Sequence, residues 1–262
     1  MQGVRISMIP KKIHYCWFGR KELPPLAKKC IDSWKKFFPE YEIIEWNEDN
    51  FDININDFVK EAYDSGKYAF VTDVARLYII YNFGGVYFDT DVEVIKTFDE
   101  LLKNDAFFGL ERNKYVNTGL GFGASEKNQF IKLLLDDYDN RKFINKNGSY
   151  NLVTCPVINS NIFKEYGFLL NGEYENIKGI SVYPSDYLNP MGDDRKELYI
   201  TENTVSIHHF DGSWQPEEWK KRVQLLAKLN NSFGDRGGRI IYNTICLPYR
   251  IVSNIKERCE NN

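Results

Sequence analysis

Apolar and polar positions along the first 46 residues spell strand, helix, strand. Ile6 to Ile9 and then Ile13-His14-Tyr15-Cys16-Trp17-Phe18-Gly19 make a tight apolar run closed by glycine, the usual opening of an α/β domain. From Pro24 to Phe37, apolar Leu26, Cys30, Ile31, Trp34 and Phe37 recur every three or four residues behind two prolines, which predicts a helix that Pro39 stops. Tyr41 to Trp46 predicts the second strand, and Asn47, Asp49 and Asn50 its turn. Strand, helix and strand in this order make a βαβ unit with parallel strands.

Further on, Phe58 to Gly66 predicts a short helix, and Tyr68 to Phe83 a longer one, with Val71, Ala75, Tyr78, Ile79 and Asn82 in helical period and Gly84-Gly85 as its stop. Val86 to Ile95 reads as strand broken by acids, Phe98 to Leu102 as a short helix and Phe107 to Leu110 as strand. Tyr115 to Ala124 alternates small and apolar residues, and glycines at that density let backbone approach a ligand closely. Phe130 to Tyr138 predicts a helix and Asn140 to Ser149 a polar loop. Thr154 to about Leu170 reads as short elements, Ile180 to Pro184 as a strand, and Asp186 to Arg195 as irregular chain. Thr204 to Trp214 predicts a strand that ends in His208-His209, and Glu217 to Leu229 an amphipathic helix.

Bulk numbers change this picture little. The 262 residues suffice for one large domain or one domain with an appendage, here residues 1–215 and a helical tail, 216–262. A net charge of −3 gives no reason to expect nucleic-acid binding. Cys16, Cys30, Cys155, Cys246 and Cys259 are scattered, odd in number and without a CxxC pair, which suits a reducing compartment rather than a disulfide framework. With no run that reads as a signal peptide or a membrane span, a cytoplasmic location is expected. Between Arg239 and Arg258, apolar residues mix with four bases and one acid, so the tail either packs on the domain or lies on the inner face of an anionic membrane.

Chemistry concentrates in Gly84-Gly85-Val86-Tyr87-Phe88-Asp89-Thr90-Asp91. Residues two apart on a strand share a face, so Asp89 and Asp91 are expected to face one site, where their mutual repulsion favours a hard divalent cation. Asp73 and Arg76, three apart, share a face near the start of the preceding helix. His208 and His209 point opposite ways on a strand, so one of them at most serves a given site. The two aspartates stand too close in sequence to flank a sugar as a glycosidase pair does, and no Walker loop with its lysine occurs.

These residues resemble a known family. Ile9-Pro10-Lys11-Lys12-Ile13-His14-Tyr15-Cys16-Trp17-Phe18-Gly19, Ser33-Trp34, Asp73-Val74-Ala75-Arg76, the Asp89-Thr90-Asp91 stretch and His208-His209-Phe210-Asp211-Gly212-Ser213-Trp214, in this order over residues 8–215, are similar to the Asp-x-Asp sugar-transferase family. That family includes the yeast Golgi initiating α-1,6-mannosyltransferase and bacterial capsule and O-antigen enzymes, and it is distantly similar to the glucosylating domains of large clostridial toxins. The resemblance implies a GT-A fold, an α/β architecture with a Rossmann-like, mostly parallel central sheet flanked by helices. It implies a UDP-hexose or UDP-N-acetylhexosamine donor, manganese or magnesium, retention at the anomeric carbon, and an oligosaccharide or glycolipid acceptor in capsule or O-antigen assembly. By the same resemblance Trp17 stacks on uracil, Asp73 and Arg76 hold the donor sugar and its phosphate side, and Asp89 lies near ribose, sugar and metal. Asp91 ligates the metal, with His209 favoured over His208 as third ligand. Asn117 contacts the donor sugar, and Ser213 and Trp214 close over the diphosphate. A transferase acting on a protein, or an inactive sugar-nucleotide binder, is the alternative.

Overall fold

The computed structural model describes residues 9–191 and 197–212, together with scattered positions between 225 and 244, all of them helical. The chain divides into two compact units, residues 1–211 and 212–262, so the division falls four residues before the expected boundary. The expected strand from Ile6, except for Ile9, and most of the helix from Glu217 and of the basic tail lie outside the described residues. No helix among the described residues is long and apolar enough to cross a membrane.

β1 (Lys12–Cys16), α1 (Pro25–Phe37) and β2 (Glu42–Trp46) form the expected βαβ unit, with Ile13 opposite Ile43 in parallel register. Pro25 opens α1 and Lys35 and Lys36 occupy its last turn, while Ala27, Cys30, Ile31 and Trp34 are buried. α2 (Asp57–Asp64) is capped by Asn56, whose side chain accepts the Val59 N–H. α3 (Tyr68–Phe83) is buried on nearly every side and ends at Gly84 with φ 59°, a value an L side chain rarely takes. A side chain at Gly84 would also meet the Pro10 ring and the Glu126 backbone at 2.8 Å.

β3 (Gly85–Tyr87) lies parallel to β1. β4 (Val92–Val94) leaves the sheet and pairs instead with β10 (Ser206–His208) in a separate antiparallel ribbon. After β5 (Ala106–Glu111), β6 (Tyr115–Val116) and β7 (Phe122–Ala124) come α4 (Gln129–Asp139), α5 (Cys155–Tyr166), β8 (Glu175–Ile177), β9 (Ile180–Tyr183) and α6 (Ser185–Leu188). The main sheet runs β2-β1-β3-β7-β5-β9-β8 with β6 on the edge of β5. β2, β1, β3, β5 and β9 point one way and β7 and β8 the other, so the sheet is mixed and mostly parallel.

Side-chain alternation splits the core between the two faces of this sheet. From β5, Phe107 enters the cluster that holds Trp34 of α1, whereas Ala106, Phe108 and Leu110 enter the cluster built by α2, α3, α4 and α5. Two readings are corrected here. Cys155 to Tyr166 is one twelve-residue helix rather than short elements, and α6 lies in the stretch read as irregular.

Candidate active site

Burial gathers the site's first half. On α3, Asp73 and Arg76 stand one turn apart, and Arg76 is 3% exposed. A buried guanidinium must be paired. Its Nη2 lies 3.0 Å from Asp73 Oδ1 and 3.3 Å from Asp89 Oδ1, and its Nε donates to the Thr72 carbonyl at 3.1 Å. Its Nη1 reaches Thr118 Oγ1 at 3.5 Å, and its plane sits 5.1 Å from the Tyr87 ring. Tyr87 in turn donates its hydroxyl to Asp89 Oδ1 at 3.0 Å.

Burial pushes the Asp73 carboxyl up to about 6, against the pull of Arg76. Burial also raises Asp89, again opposed by Arg76 and helped by the charge of Asp91. The Asp89 side chain is 27% exposed, which tempers that push. Burial alone would weaken the charge on Arg76, but Asp89, Tyr87 and Asp73 hold its guanidinium charged.

A turn, not the strand, builds the second half. Asp89 and Asp91 both lie beyond β3, where Val92 N donates to the Asp89 carbonyl at 3.0 Å. The expectation that strand alternation aims the two carboxylates together is therefore corrected, because the turn does so. Pairing of β10 with β4 sets His208 opposite Val92, and His208 Nε2 reaches Asp91 Oδ1 at 2.9 Å. Phe210 takes φ 50°, and the bent chain returns the Asp211 N–H to Asp91 Oδ2 at 2.9 Å. Burial pushes Asp91 up, but His208, its hydrogen bond and the Asp211 amide outweigh it and bring the carboxyl down to about 2.

Asp89, Asp91 and His208 each offer a ligand atom within 4.8 Å of the others, and the Nδ1 of His208 is buried without a hydrogen-bond partner. Two carboxylates and an imidazole suit manganese or magnesium better than a soft metal. His209, expected at the third metal position, instead sends Nε2 to Glu93 at 2.9 Å, and Glu93 is also held by Lys29. The two neighbours do point opposite ways, and among the described residues it is His208, not His209, that the fold brings within reach of both Asp89 and Asp91.

Asn117 is buried beside the cluster. Its amide donates to Glu111 at 2.9 Å and its carbonyl accepts the Gly119 N–H at 2.7 Å. Gly119 permits the whole arrangement, because a Cβ there would overlap Asp89 Oδ2 and lie 3.2 Å from Arg76 Nη1. Trp17 stands half-buried just past the C-terminal end of β1, with its indole N–H donated to the Lys21 carbonyl at 2.6 Å. Among the described hydrogen bonds it makes none to the carboxylate cluster. Ser213 and Trp214 lie outside the described residues.

Sequence reasoning missed Tyr87, Thr118, Gly119, Cys155 and Asn159. Cys155 hydrogen-bonds Asp73, and Asn159 donates to Thr118 at 3.4 Å while its own carbonyl oxygen has no partner. The small-residue run at 115–124 was the available signal for Gly119. Nothing local marked the α5 residues.

A carboxylate turn facing a buried Asp-Arg pair on an α/β fold is an arrangement suited to a sugar transferase. The chain belongs to the capsular polysaccharide synthesis protein family, which matches residues 4–147. It is similar to inositol phosphoceramide mannosyltransferase 3 of Schizosaccharomyces pombe, 35% identical over 109 residues, covering 38% of this chain and 29% of that protein. It is also similar to the mouse lactosylceramide 4-alpha-galactosyltransferase, 26% identical over 157 residues, covering 59% of this chain and 42% of that protein. The matches thus span well under two thirds of these relatives. Among solved structures, the PaToxG glycosyltransferase aligns with a TM-score of 0.49 at 17% identity, over 62% of this chain and 71% of that one. A glycosyltransferase involved in glycosylation of the PBCV-1 major capsid aligns with a TM-score of 0.44 at 12% identity, over 78% of this chain and 95% of that one.

Proposed function

We propose that this protein is a metal-dependent, retaining glycosyltransferase of GT-A type that moves a sugar from a UDP-sugar to a glycolipid or lipid-linked oligosaccharide during surface-polysaccharide assembly. The observation that carries this reading is the single cluster joining Asp73, Arg76, Asp89, Asp91 and His208. The family's description supports the polysaccharide setting, and the sphingolipid-named sugar transferases among the relatives support the lipid acceptor.

Asp89, Asp91 and His208 would hold the cation, which when bound supplies positive charge for the diphosphate that leaves. Three of the guanidinium's nitrogens already face Asp73, Asp89, Thr72 and Thr118, so we assign Arg76 chiefly to fixing the two carboxylates. Free carboxylate lone pairs of Asp73 and Asp89 then accept sugar hydroxyls. Trp17 offers an aromatic face for the base. No side chain is assigned as general base, since a departing phosphate oxygen can take the acceptor's proton when attack comes from the leaving-group face.

Release of UDP from a panel of UDP-sugars tests this reading. The wild-type protein with manganese is expected to turn over one donor, and EDTA to stop it. Asp91→Asn should lower turnover by about a hundredfold or more with the circular-dichroism spectrum unchanged, the scale typical of losing a charged transition-state partner. Turnover that survives both EDTA and Asp91→Asn rules out the metal assignment.

A further inference from the structure

Beside the site lies a surface that its charge and exposure set apart. After α4 the chain makes a short hairpin, with Ile144 bridged to Tyr150 and Asn145 N donating to the Ser149 carbonyl at 2.8 Å. It then runs exposed through Leu152 and Val153 into α5. Leu152 is 59% exposed, and Ile144, Tyr150, Val153 and Val157 are also exposed. A monomer rarely leaves so many large apolar side chains together in water without a use for them.

Within this segment the charge is of one sign, although Glu61 of α2 accepts the Phe143 and Ile144 N–H groups at the hairpin's base. From Asn140 to Lys164 there are four bases and no Asp or Glu, in a chain whose net charge is −3. Arg141 is paired with Asp137 and Lys142 with Asp57. Lys146, at the hairpin tip, has no ion-pair partner among the described residues, and Lys67 stands 5.8 Å from the Tyr150 ring. Apolar and aromatic side chains flanked by lysines are the composition of a surface that rests in the headgroup layer of an anionic bilayer. An acidic protein partner would suit the lysines but leaves the exposed leucine and valines unexplained.

Position gives this surface its purpose. Two residues after Val153, Cys155 hydrogen-bonds Asp73, and its Sγ lies 3.9 Å from Thr118 Oγ1 on the floor of the site. We infer that the hairpin at 143–151 and the Leu152-Val153 lip form a docking surface for an anionic lipid bilayer. It sets the mouth of the sugar site against lipid, so that an acceptor hydroxyl carried on a membrane lipid meets the donor without leaving the bilayer. The acceptor part rests on the function proposed above, whereas the docking surface itself does not.

Co-sedimentation of the full chain with vesicles tests it, using phosphatidylcholine alone and phosphatidylcholine mixed with phosphatidylglycerol. Binding to the mixed vesicles is expected, weaker at high salt and weaker still to phosphatidylcholine alone. Leu152→Ser with Val153→Ser should weaken it on the order of tenfold, the loss expected from two partly buried apolar side chains. Lys146→Glu should weaken anionic binding by about tenfold and leave binding to neutral vesicles unchanged. All these positions are exposed, so both variants should keep the wild-type melting temperature and donor-induced stabilisation. The proposal is overturned if the full chain ignores both vesicles, or if the variants bind as wild type. It is overturned equally if Leu152→Ser with Val153→Ser instead dissolves a dimer, because a second copy then covers the face. Vesicle binding that persists in a protein with no donor-induced stabilisation would retire the transferase reading and keep the surface.

Discussion

Gly119 shows how closely the site is built. Its φ lies outside the left-handed region, so alanine strains no backbone, yet the added methyl would occupy the place of Asp89 Oδ2 and press on Arg76. Gly119→Ala is therefore expected to cost about a hundredfold in turnover by displacing one carboxylate, with little loss of melting temperature. Wild-type turnover in a well-folded Gly119→Ala protein would mean that Asp89 need not stand where it does. At this scale the sequence was informative about residue types and weaker about orientation. Asp73, Arg76, Asp89 and Asp91 could be named because their order along the chain resembles the family's motifs, since an Asp-x-Asp and an i,i+3 Asp–Arg pair are each common for purely structural reasons. His208 and His209 could not be separated, because the choice depends on which way β10 pairs with β4, a contact over a hundred residues long in sequence.

Helix α3 was legible because it carries a 3.6-residue apolar repeat over four turns and stops on two glycines. Helix α5 was not. Asn159, Ser160 and Asn161 are poor helix formers in its middle. What holds it is tertiary: the Ser160 hydroxyl donates back to the Pro156 carbonyl at 2.6 Å and accepts the Val116 N–H at 2.9 Å. At the joint between β1, β2 and α3, His14 is fully buried. Its Nε2 lies 3.0 Å from the Gly84 carbonyl and its Nδ1 3.1 Å from the indole Nε1 of Trp46. A carbonyl can only accept and an indole N–H only donate, so the ring is neutral with its proton on Nε2. Burial, with a smaller push from Lys12, lowers its pKa from 6.5 to about 4, against the Gly84 hydrogen bond. The unfolded chain therefore binds this proton first as pH falls. The stability that neutral His14 provides is complete above pH 6.5 and is lost on the way down to about pH 4, a loss of about 3 kcal/mol from this group. Urea unfolding at pH 7 and pH 4.5, in the wild type and in His14→Gln, checks it. The wild type should lose more than the variant over that interval, and equal losses would place the acid sensitivity elsewhere.

For the first unit as a whole, the α/β class and its first βαβ unit followed from periodicity, but the order of the strands did not. A pattern of apolar residues says that β7 is a strand without saying that it slips antiparallel between β3 and β5. Nor does it say that the carboxylate turn throws β4 out of the main sheet and onto β10. That detour matters, because it brings Asp89 and Asp91 together with His208 and makes the candidate cation site a property of the folded unit. Asp73 at about 6, a raised Asp89 and a His208 whose pKa burial would lower but Asp91 raises describe a site whose charges are balanced against burial by their neighbours. On the proposed function a divalent cation would alter that balance in favour of a bound diphosphate, and the diphosphate would do the same for the cation. By linkage each must raise the other's affinity by the same factor. Manganese alone and the UDP-sugar alone should therefore each shift the melting temperature little. Together, at about a hundred times the coupled dissociation constant, they should raise stability by about 2.7 kcal/mol, roughly 5–10 °C for a unit of this size. A thermal-shift matrix of UDP-sugars against manganese reads this directly. A joint shift larger than the sum of the two singles, found for one sugar and lost in Asp91→Asn, identifies the donor and the metal centre together. A donor shift that is the same in EDTA would detach donor binding from Asp89, Asp91 and His208, and would leave Asp73 and Arg76 as a sugar-nucleotide site without a metal.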